Sequence, residues 1–245
     1  MYHHIPINKI KNFERQINFL LDDGWKFIEP QDLLSGGYKI LNKKILLTFD
    51  DGFYSNKIIA DKILKKYNIK AIFFVPSKFI EMTRVEMCNQ YIKKNLELKK
   101  ISFLNQRKIS MNYKDLLDLV GSNHFVGAHT RYHSRIATIA SNFRKRLEIG
   151  NSINCNKLYR KIFFFAFPFG GIDDFDAESI RNSLKKYKYT FLAVRGNNLK
   201  SNLTKKIIFR DNFNIDYDKK MCISVVNGFF DFLYLHSRIK ILKKI

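Results

Sequence analysis

Ile45-Leu46-Leu47-Thr48-Phe49-Asp50-Asp51-Gly52 opens as five residues of strand type and stops on two adjacent carboxylates and a glycine. A short, nearly continuous apolar run suits a strand buried on both faces of a parallel sheet. Adjacent aspartates repel each other and disfavour strand structure, so the strand ends where they begin. In parallel α/β folds, polar site groups gather at the C-terminal ends of strands. One stretch therefore marks both a core strand and a candidate site. An ordinary Asp-Gly turn is the competing reading at this point.

Strands and helices alternate outward from this run. Upstream, Phe13, Ile17, Leu20 and Leu21 share a helix face that Asp22-Asp23-Gly24 ends. Downstream, Ile58, Ile59, Ile63 and Leu64 give helical spacing between Ser55 and Tyr67, and Ala71–Val75 is a strand stopped by Pro76. The stretch 81–110 is polar, Lys-rich and poorly periodic, and reads as an insertion or a lid-like excursion. A helix follows around Tyr113–Val120, a strand at His124–Ala128, a helix at Asn142–Ile153 and a strand at Phe163–Phe167. The rhythm continues through Ala177–Lys186, Thr190–Val194 and Ile207–Phe209, and Gly228–Ile245 has helical spacing with a basic end. Repeated βα units place the chain in the α/β class as a single domain over 1–245, with a parallel sheet that is open or closed into a barrel.

The bulk properties narrow the partners. With 245 residues and 46% hydrophobic composition, a sizeable core can be buried. No apolar run approaches the ~20 residues needed to span a bilayer. The opening Met1-Tyr2-His3-His4-Ile5-Pro6 lacks the layout of a secretory signal, so a cytoplasmic location is expected. Cys88, Cys155 and Cys222 are widely spaced and read as unpaired thiols. The net charge of +22 would attract nucleic acid, anionic lipid or an acidic glycan. Abundant Lys, Ile and Asn throughout equally suit compositional drift, and Lys outnumbers Arg, the better fork for phosphates. No aromatic-and-Arg motif marks nucleic acid as a partner.

Chemistry concentrates in three places. In Asp50-Asp51, one carboxylate can bind a metal while the other takes a proton. In His129-Thr130-Arg131-Tyr132-His133, two imidazoles four apart share a face if the segment is helical, and can meet one ion. Asp51, His129 and His133 together make a ligand set suited to zinc, with cobalt, nickel, iron and manganese as alternatives. Surface histidines are the bland alternative. The third place is Pro168-Phe169-Gly170-Gly171, closing the strand at Phe163–Phe167.

Thr48–Gly52 (TFDDG), His129–His133 (HTxxH) and Ala166–Gly170 (AFPFG), in that order, resemble the polysaccharide deacetylase family of carbohydrate esterases. The likeness extends to KAIFFV and to Glu148-Ile149 with Ser152, and so covers most of the chain. The resemblance implies a distorted (β/α) barrel of about seven strands and metal-dependent hydrolysis of an acetamide on an N-acetylated sugar. It implies Asp51, His129 and His133 as metal ligands, Asp50 as general base, and the Phe169 N–H as a donor to the oxyanion. Tyr54, with Pro168 and Gly170, is placed on the substrate side. Trp25 and Tyr132 are further stacking candidates that core or rim packing explains as well.

Two departures stand out. Ala166 occupies a position where many members carry an Arg, and Arg210 in Ile207-Ile208-Phe209-Arg210-Asp211 is the candidate substitute. The catalytic His common near the C-terminus has only His236 as a counterpart, on the terminal helical stretch. Tyr2-His3-His4-Ile5 instead resembles the YHxI start of a permuted branch related to poly-N-acetylglucosamine deacetylases, which makes His3 the expected acid, with His4 and His236 as alternatives. His124, at a strand entrance, reads as structural.

Rival readings are a hydrolase of another small amide or ester, and a basic membrane- or nucleic-acid-binding protein with a vestigial site. A vestigial site should lack one of Asp50, Asp51, His129 or His133, and all four are present. Phe229, Phe232 and Leu233, followed by Lys240, Lys243 and Lys244, outline a peripheral contact with the inner face of a membrane, or an ordinary docking helix.

Overall fold

The computed structural model describes residues 1–36, 43–98, 108–150, 153, 155–158, 161–198 and 200–244. Six parallel strands form the main sheet in chain order: β3 (Leu47–Phe49), β4 (Ala71–Val75), β5 (Phe125–Ala128), β6 (Phe164–Ala166), β7 (Tyr189–Leu192) and β8 (Ile207–Phe209). Two short strands, β1 (Lys26–Phe27) and β2 (Lys44–Ile45), pair separately. The sheet curls into a half-barrel with helices around it, a distorted (β/α) barrel.

Alternation along the strands explains the two faces. Leu47, Phe49, Phe73, Val126, Phe165 and Ile207 pack with Phe13, Ile17 and Ile59 of the surrounding helices. Ile72, Phe74, Phe125, Phe164, Phe191 and Ile208 form a second cluster on the barrel's inner face. Continuing the same parity past the strand ends puts Asp50, His129 and Arg210 inside. Gly127 belongs to this face, and a Cβ there would lie 2.4 Å from the Phe74 ring.

The N-terminal residues join the sheet's two edges. Tyr2 N–H donates to Thr48 O (2.9 Å) and Tyr2 O accepts from Asp50 N–H (2.9 Å), a parallel bridge to Phe49. On the other side Met1 O accepts from Phe213 N–H (3.0 Å), just beyond β8. With this one-residue bridge, the six-stranded main sheet approaches the barrel of about seven strands that was expected. The Tyr2 ring packs outward on Phe13 and Phe49, and its hydroxyl donates to Gln16.

Three local expectations differ from the structure. His129–His133 is an irregular loop in which Thr130 (φ 57°) and His133 (φ 59°) are left-handed, so no shared helix face brings the imidazoles together. Within 81–110, Val85–Asn95 is a helix that buries Cys88, Tyr91 and Ile92 against Phe53, Phe79 and Ile109. Its i, i+3, i+4 apolar spacing was diluted by the flanking lysines, and residues 99–107 lie outside the described residues. The basic terminal stretch splits into a 3-10 turn at Asp231–Tyr234 and a helix at Leu235–Lys244. No helix among the described residues is long and apolar enough to cross a membrane.

Candidate active site

Asp51 sits at the tip of the turn after β3, left-handed at φ 72° and followed by Gly52 at φ 77°. The Asp-Gly turn is therefore real, and it is what presents the carboxylate. Gly52 is needed twice over, since a Cβ there would meet Val75 Cγ1 at 3.1 Å. Asp51 Oδ1 lies 3.1 Å from His133 Nε2 and 3.6 Å from His129 Nε2, and all three residues are buried. The ligand atoms lie within 4.8 Å of one another.

The outer partners fix the imidazoles. His129 Nδ1 is 2.8 Å from Ala166 O, at the end of β6, and His133 Nδ1 is 2.9 Å from Asn95 O. Carbonyls only accept, so each Nδ1 carries a proton, and Nε2 is the ring nitrogen turned toward Asp51. Protonating Nε2 as well would satisfy the carboxylate, but burial lowers the His129 pKa. Asp51 Oδ1 is buried without a hydrogen-bond partner. Burial alone would raise the Asp51 carboxyl, whereas the facing His129 and His133 imidazoles, with the His3 charge, hold it well below its usual range. Two imidazole Nε2 atoms and a carboxylate oxygen converging in a buried space are a donor set that fits a divalent cation.

Asp50 is held differently. Arg210 grips it with both ends of its fork, NH1 to Oδ1 at 2.7 Å and NH2 to Oδ2 at 2.8 Å. NH1 also reaches Thr48 Oγ1 at 3.3 Å, and the guanidinium lies over the rings of Phe74 (5.1 Å) and Phe191 (5.8 Å). The Asp50 backbone carbonyl accepts from Asn56 Nδ2. Burial would raise the Asp50 carboxyl, but the Arg210 charge, with His129 and His3, brings it below its usual value. Thus the residue just past the last strand of the sheet supplies the cation that pairs with Asp50.

His3 is half-buried, and its charge favours the ionised form of both Asp50 and Asp51. His4 faces Phe53 (5.1 Å between rings), with Nδ1 3.0 Å from Ser55 Oγ, and burial lowers its pKa to about 4. His236 is exposed on the helix Leu235–Lys244. Phe169 is left-handed (φ 59°), its ring 4.9 Å from that of His133 and under the Arg135 guanidinium at 3.9 Å. Gly170 (φ 66°) closes against Ala193, where a Cβ would come within 2.6 Å of the backbone nitrogen, and Pro168 is buried behind it. The half-buried Tyr54 ring has Lys108 Nζ 4.2 Å above it. Tyr132 is an exposed residue of the His129–His133 loop. Trp25 instead lines a cavity of about 600 Å³ on the barrel's open side, which reaches Thr48 and Arg210 but none of the three candidate metal ligands.

Sequence reasoning missed Asn95 and Arg135. Asn95 meets His133 through a main-chain carbonyl that any residue could supply, and its side chain serves another main-chain atom, so neither contact leaves a signal in the sequence. Arg135 lies two residues past His133, a spacing without chemical meaning until the loop folds.

Residues 38–192 match the sequence profile of the family described as polysaccharide deacetylase. The Bacillus subtilis protein YxkH, which carries the polysaccharide deacetylase name, is 35% identical over 88 residues, covering 33% of this chain and 32% of that protein. The match therefore spans about a third of that relative's length. Among solved structures, the Streptococcus pyogenes deacetylase PplD in complex with acetate superposes with a TM-score of 0.70 at 18% identity, covering 92% of this chain and 94% of that one. IcaB from Ammonifex degensii gives a TM-score of 0.64 at 20% identity, covering 92% and 93%. Identities this low speak for the fold alone.

Proposed function

Because this chain belongs to the polysaccharide deacetylase family, hydrolases of N-acetyl groups, we propose that it removes the acetyl group from an N-acetylated sugar within a glycan or glycan precursor. The observation that carries this reading is the pairing of two unlike carboxylates. Asp51 Oδ1 faces two imidazole nitrogens, and the adjacent Asp50 is gripped on both oxygens by Arg210.

Asp51, His129 and His133 would hold a divalent ion, with zinc the first choice for this donor set and cobalt, nickel, iron or manganese as alternatives. When bound, such an ion polarises a carbonyl and makes water acidic enough to attack at neutral pH. Asp50, kept ionised by Arg210, takes a proton as the water oxygen adds to the acetamide carbon. The Phe169 N–H donates to the oxygen on which negative charge collects. His3, on the inward-facing side of the N-terminal segment, returns a proton to the nitrogen as the C–N bond breaks. Acetate and a free amine leave. Tyr54, Pro168 and Gly170 border the place the sugar would occupy.

The test is acetate release from a panel of N-acetylated glycans and lipid-linked sugars, with and without chelator. Release that the chelator abolishes and added Zn²⁺ restores is expected. Chelator-insensitive release, or none from any acetylated sugar by metal-loaded protein, would overturn the reading.

A peripheral position on an anionic membrane is a second reading, favoured by one observation. Phe229 (68% exposed), Phe232 (68%) and Leu233 (62%) stand in solvent just before the basic helix Leu235–Lys244. Apolar residues beside lysines suit the boundary between headgroups and acyl chains. Co-sedimentation with phosphatidylglycerol-containing vesicles, lost on Phe232→Ser with Leu233→Ser, is expected. Equal sedimentation of parent and variant would sink it.

A further inference from the structure

The loop that carries His133 contributes no helix or strand of its own, yet it holds a buried side chain in a fixed orientation. Two of its residues, Thr130 (φ 57°) and His133 (φ 59°), adopt a conformation that costs a non-glycine residue roughly 1–3 kcal/mol. Something outside the loop must hold it, and the hydrogen bonds show what does. Ser77 and Lys78 N–H donate to the carbonyls of Thr130 (3.4 Å) and Arg131 (3.0 Å). Ser134 N–H donates to Thr130 Oγ1 at 3.1 Å.

The middle of the loop is gripped by two side chains from elsewhere. Glu148 Oε2, on the helix Asn142–Gly150, accepts from both Arg131 N–H (3.1 Å) and Tyr132 N–H (3.0 Å). Asn95 Nδ2 donates to Tyr132 O at 2.8 Å. Asn95 is also the residue whose main-chain carbonyl accepts the hydrogen bond from His133 Nδ1. That carbonyl is available for a physical reason. Asn95 ends the helix Val85–Asn95, and the last four carbonyls of a helix have no partner within it. The helix's negative pole then faces the imidazole proton and makes Nε2 a better donor of its lone pair.

We infer that Glu148 and Asn95 are positioning residues that set the orientation of His133 toward Asp51, and thereby the affinity of the site for a divalent ion. The inference rests on the metal reading above and deepens it. Each side chain acts through the loop's main chain, Glu148 on the Arg131 and Tyr132 N–H groups and Asn95 on the Tyr132 carbonyl. The segment that looked like a lid is on this reading half of the support for a ligand.

The experiment measures the Zn²⁺ dissociation constant by competition with a chromophoric chelator, and amide hydrogen exchange of Arg131 and Tyr132 in chelator-treated protein. Glu148→Ala should weaken Zn²⁺ binding about ten- to a hundred-fold, as loss of outer-shell partners does. It should also speed exchange at those two amides. Glu148→Gln, which keeps an acceptor oxygen, should recover part of both. Asn95→Ala should weaken binding several-fold and serves as the second variant should Glu148→Ala fail to fold. Arg146→Ala, exposed and on the opposite face of the same helix from Glu148, should match the parent. Folded Glu148→Ala and Asn95→Ala that bind Zn²⁺ within two-fold of the parent would overturn the inference and leave the metal reading standing. A parent that takes up no Zn²⁺ would overturn both.

Discussion

Arg210 and Asp50, 160 residues apart in sequence, form a buried two-pronged ion pair of 2.7 and 2.8 Å across the seam where the sheet curls back on itself. The side chains are 4% and 3% exposed, so neither charge has water to fall back on. Breaking such a pair from one side leaves an uncompensated charge and costs about 3–5 kcal/mol. Arg210→Met should lose stability on that scale in urea unfolding. Arg210→Met with Asp50→Asn should be markedly less destabilised than the two single changes summed. Strict additivity would mean the pair is not coupled in solution.

Asp50→Asn separates base from ligand. The protein should keep about one divalent ion per chain, as expected of a single three-ligand site. Acetate release should fall by about 10²–10⁴, the range assigned to a positioned proton acceptor. Metal analysis alongside turnover decides the matter, and an active Asp50→Asn protein would move the base elsewhere.

The three candidate acids are separable by position. His3→Ala should lower kcat by about 10² or more, at the low end of proton-transfer contributions. His236→Ala, on an exposed helix, should be indistinguishable from the parent. His4→Ala should act mainly on stability, through the lost Ser55 and Phe53 contacts. A larger kinetic loss from His236 than from His3 would contradict this assignment.

His124 gives a pH prediction independent of the site. Its Nδ1 accepts the Ala71 N–H at 3.2 Å, and burial, with help from the Lys70 charge, lowers its pKa to about 4. In the unfolded chain the imidazole titrates near ~6.5. Between those values the unfolded chain binds a proton that the folded one refuses. Stability is therefore full above pH ~6.5 and declines as pH falls toward 4, by up to about 1.4 kcal/mol per pH unit for this group. His124→Asn, which keeps an acceptor in place of Nδ1, should flatten the acid limb of a urea-midpoint profile. His4, also held at about 4, contributes a similar slope that the substitution leaves in place. An unchanged acid limb would refute the assignment.

Much of this architecture could be read from residues in order. Period and turn chemistry located the strands from Leu47 to Phe209, because each apolar run is short and ends on Asp, Pro or a polar residue. Asp50, Asp51, His129 and His133 were legible because their types have few other uses at strand ends. Arg210 was reachable by asking what could replace Ala166. Illegible were the contacts that depend on backbone geometry. Four-residue spacing suggested a helix for His129–His133, whereas left-handed residues fold it as a loop. Asn95 and Glu148 serve main-chain atoms, and a sequence does not display where main-chain atoms point.

The bridge made by Met1 and Tyr2 has a temporal consequence. These residues and their partners at Thr48 and Asp50 are made early, whereas Phe213, the partner on the other edge, exists only when most of the chain has been synthesised. Arg210 belongs to the same late stretch, so the cation that grips Asp50 joins the candidate site only after most of the chain has been made. Contacts of such long sequence separation form slowly. A nascent chain can thus hold a finished β3–β7 sheet while remaining chemically silent, and activity would arrive in one late step, when the two edges of the sheet are joined.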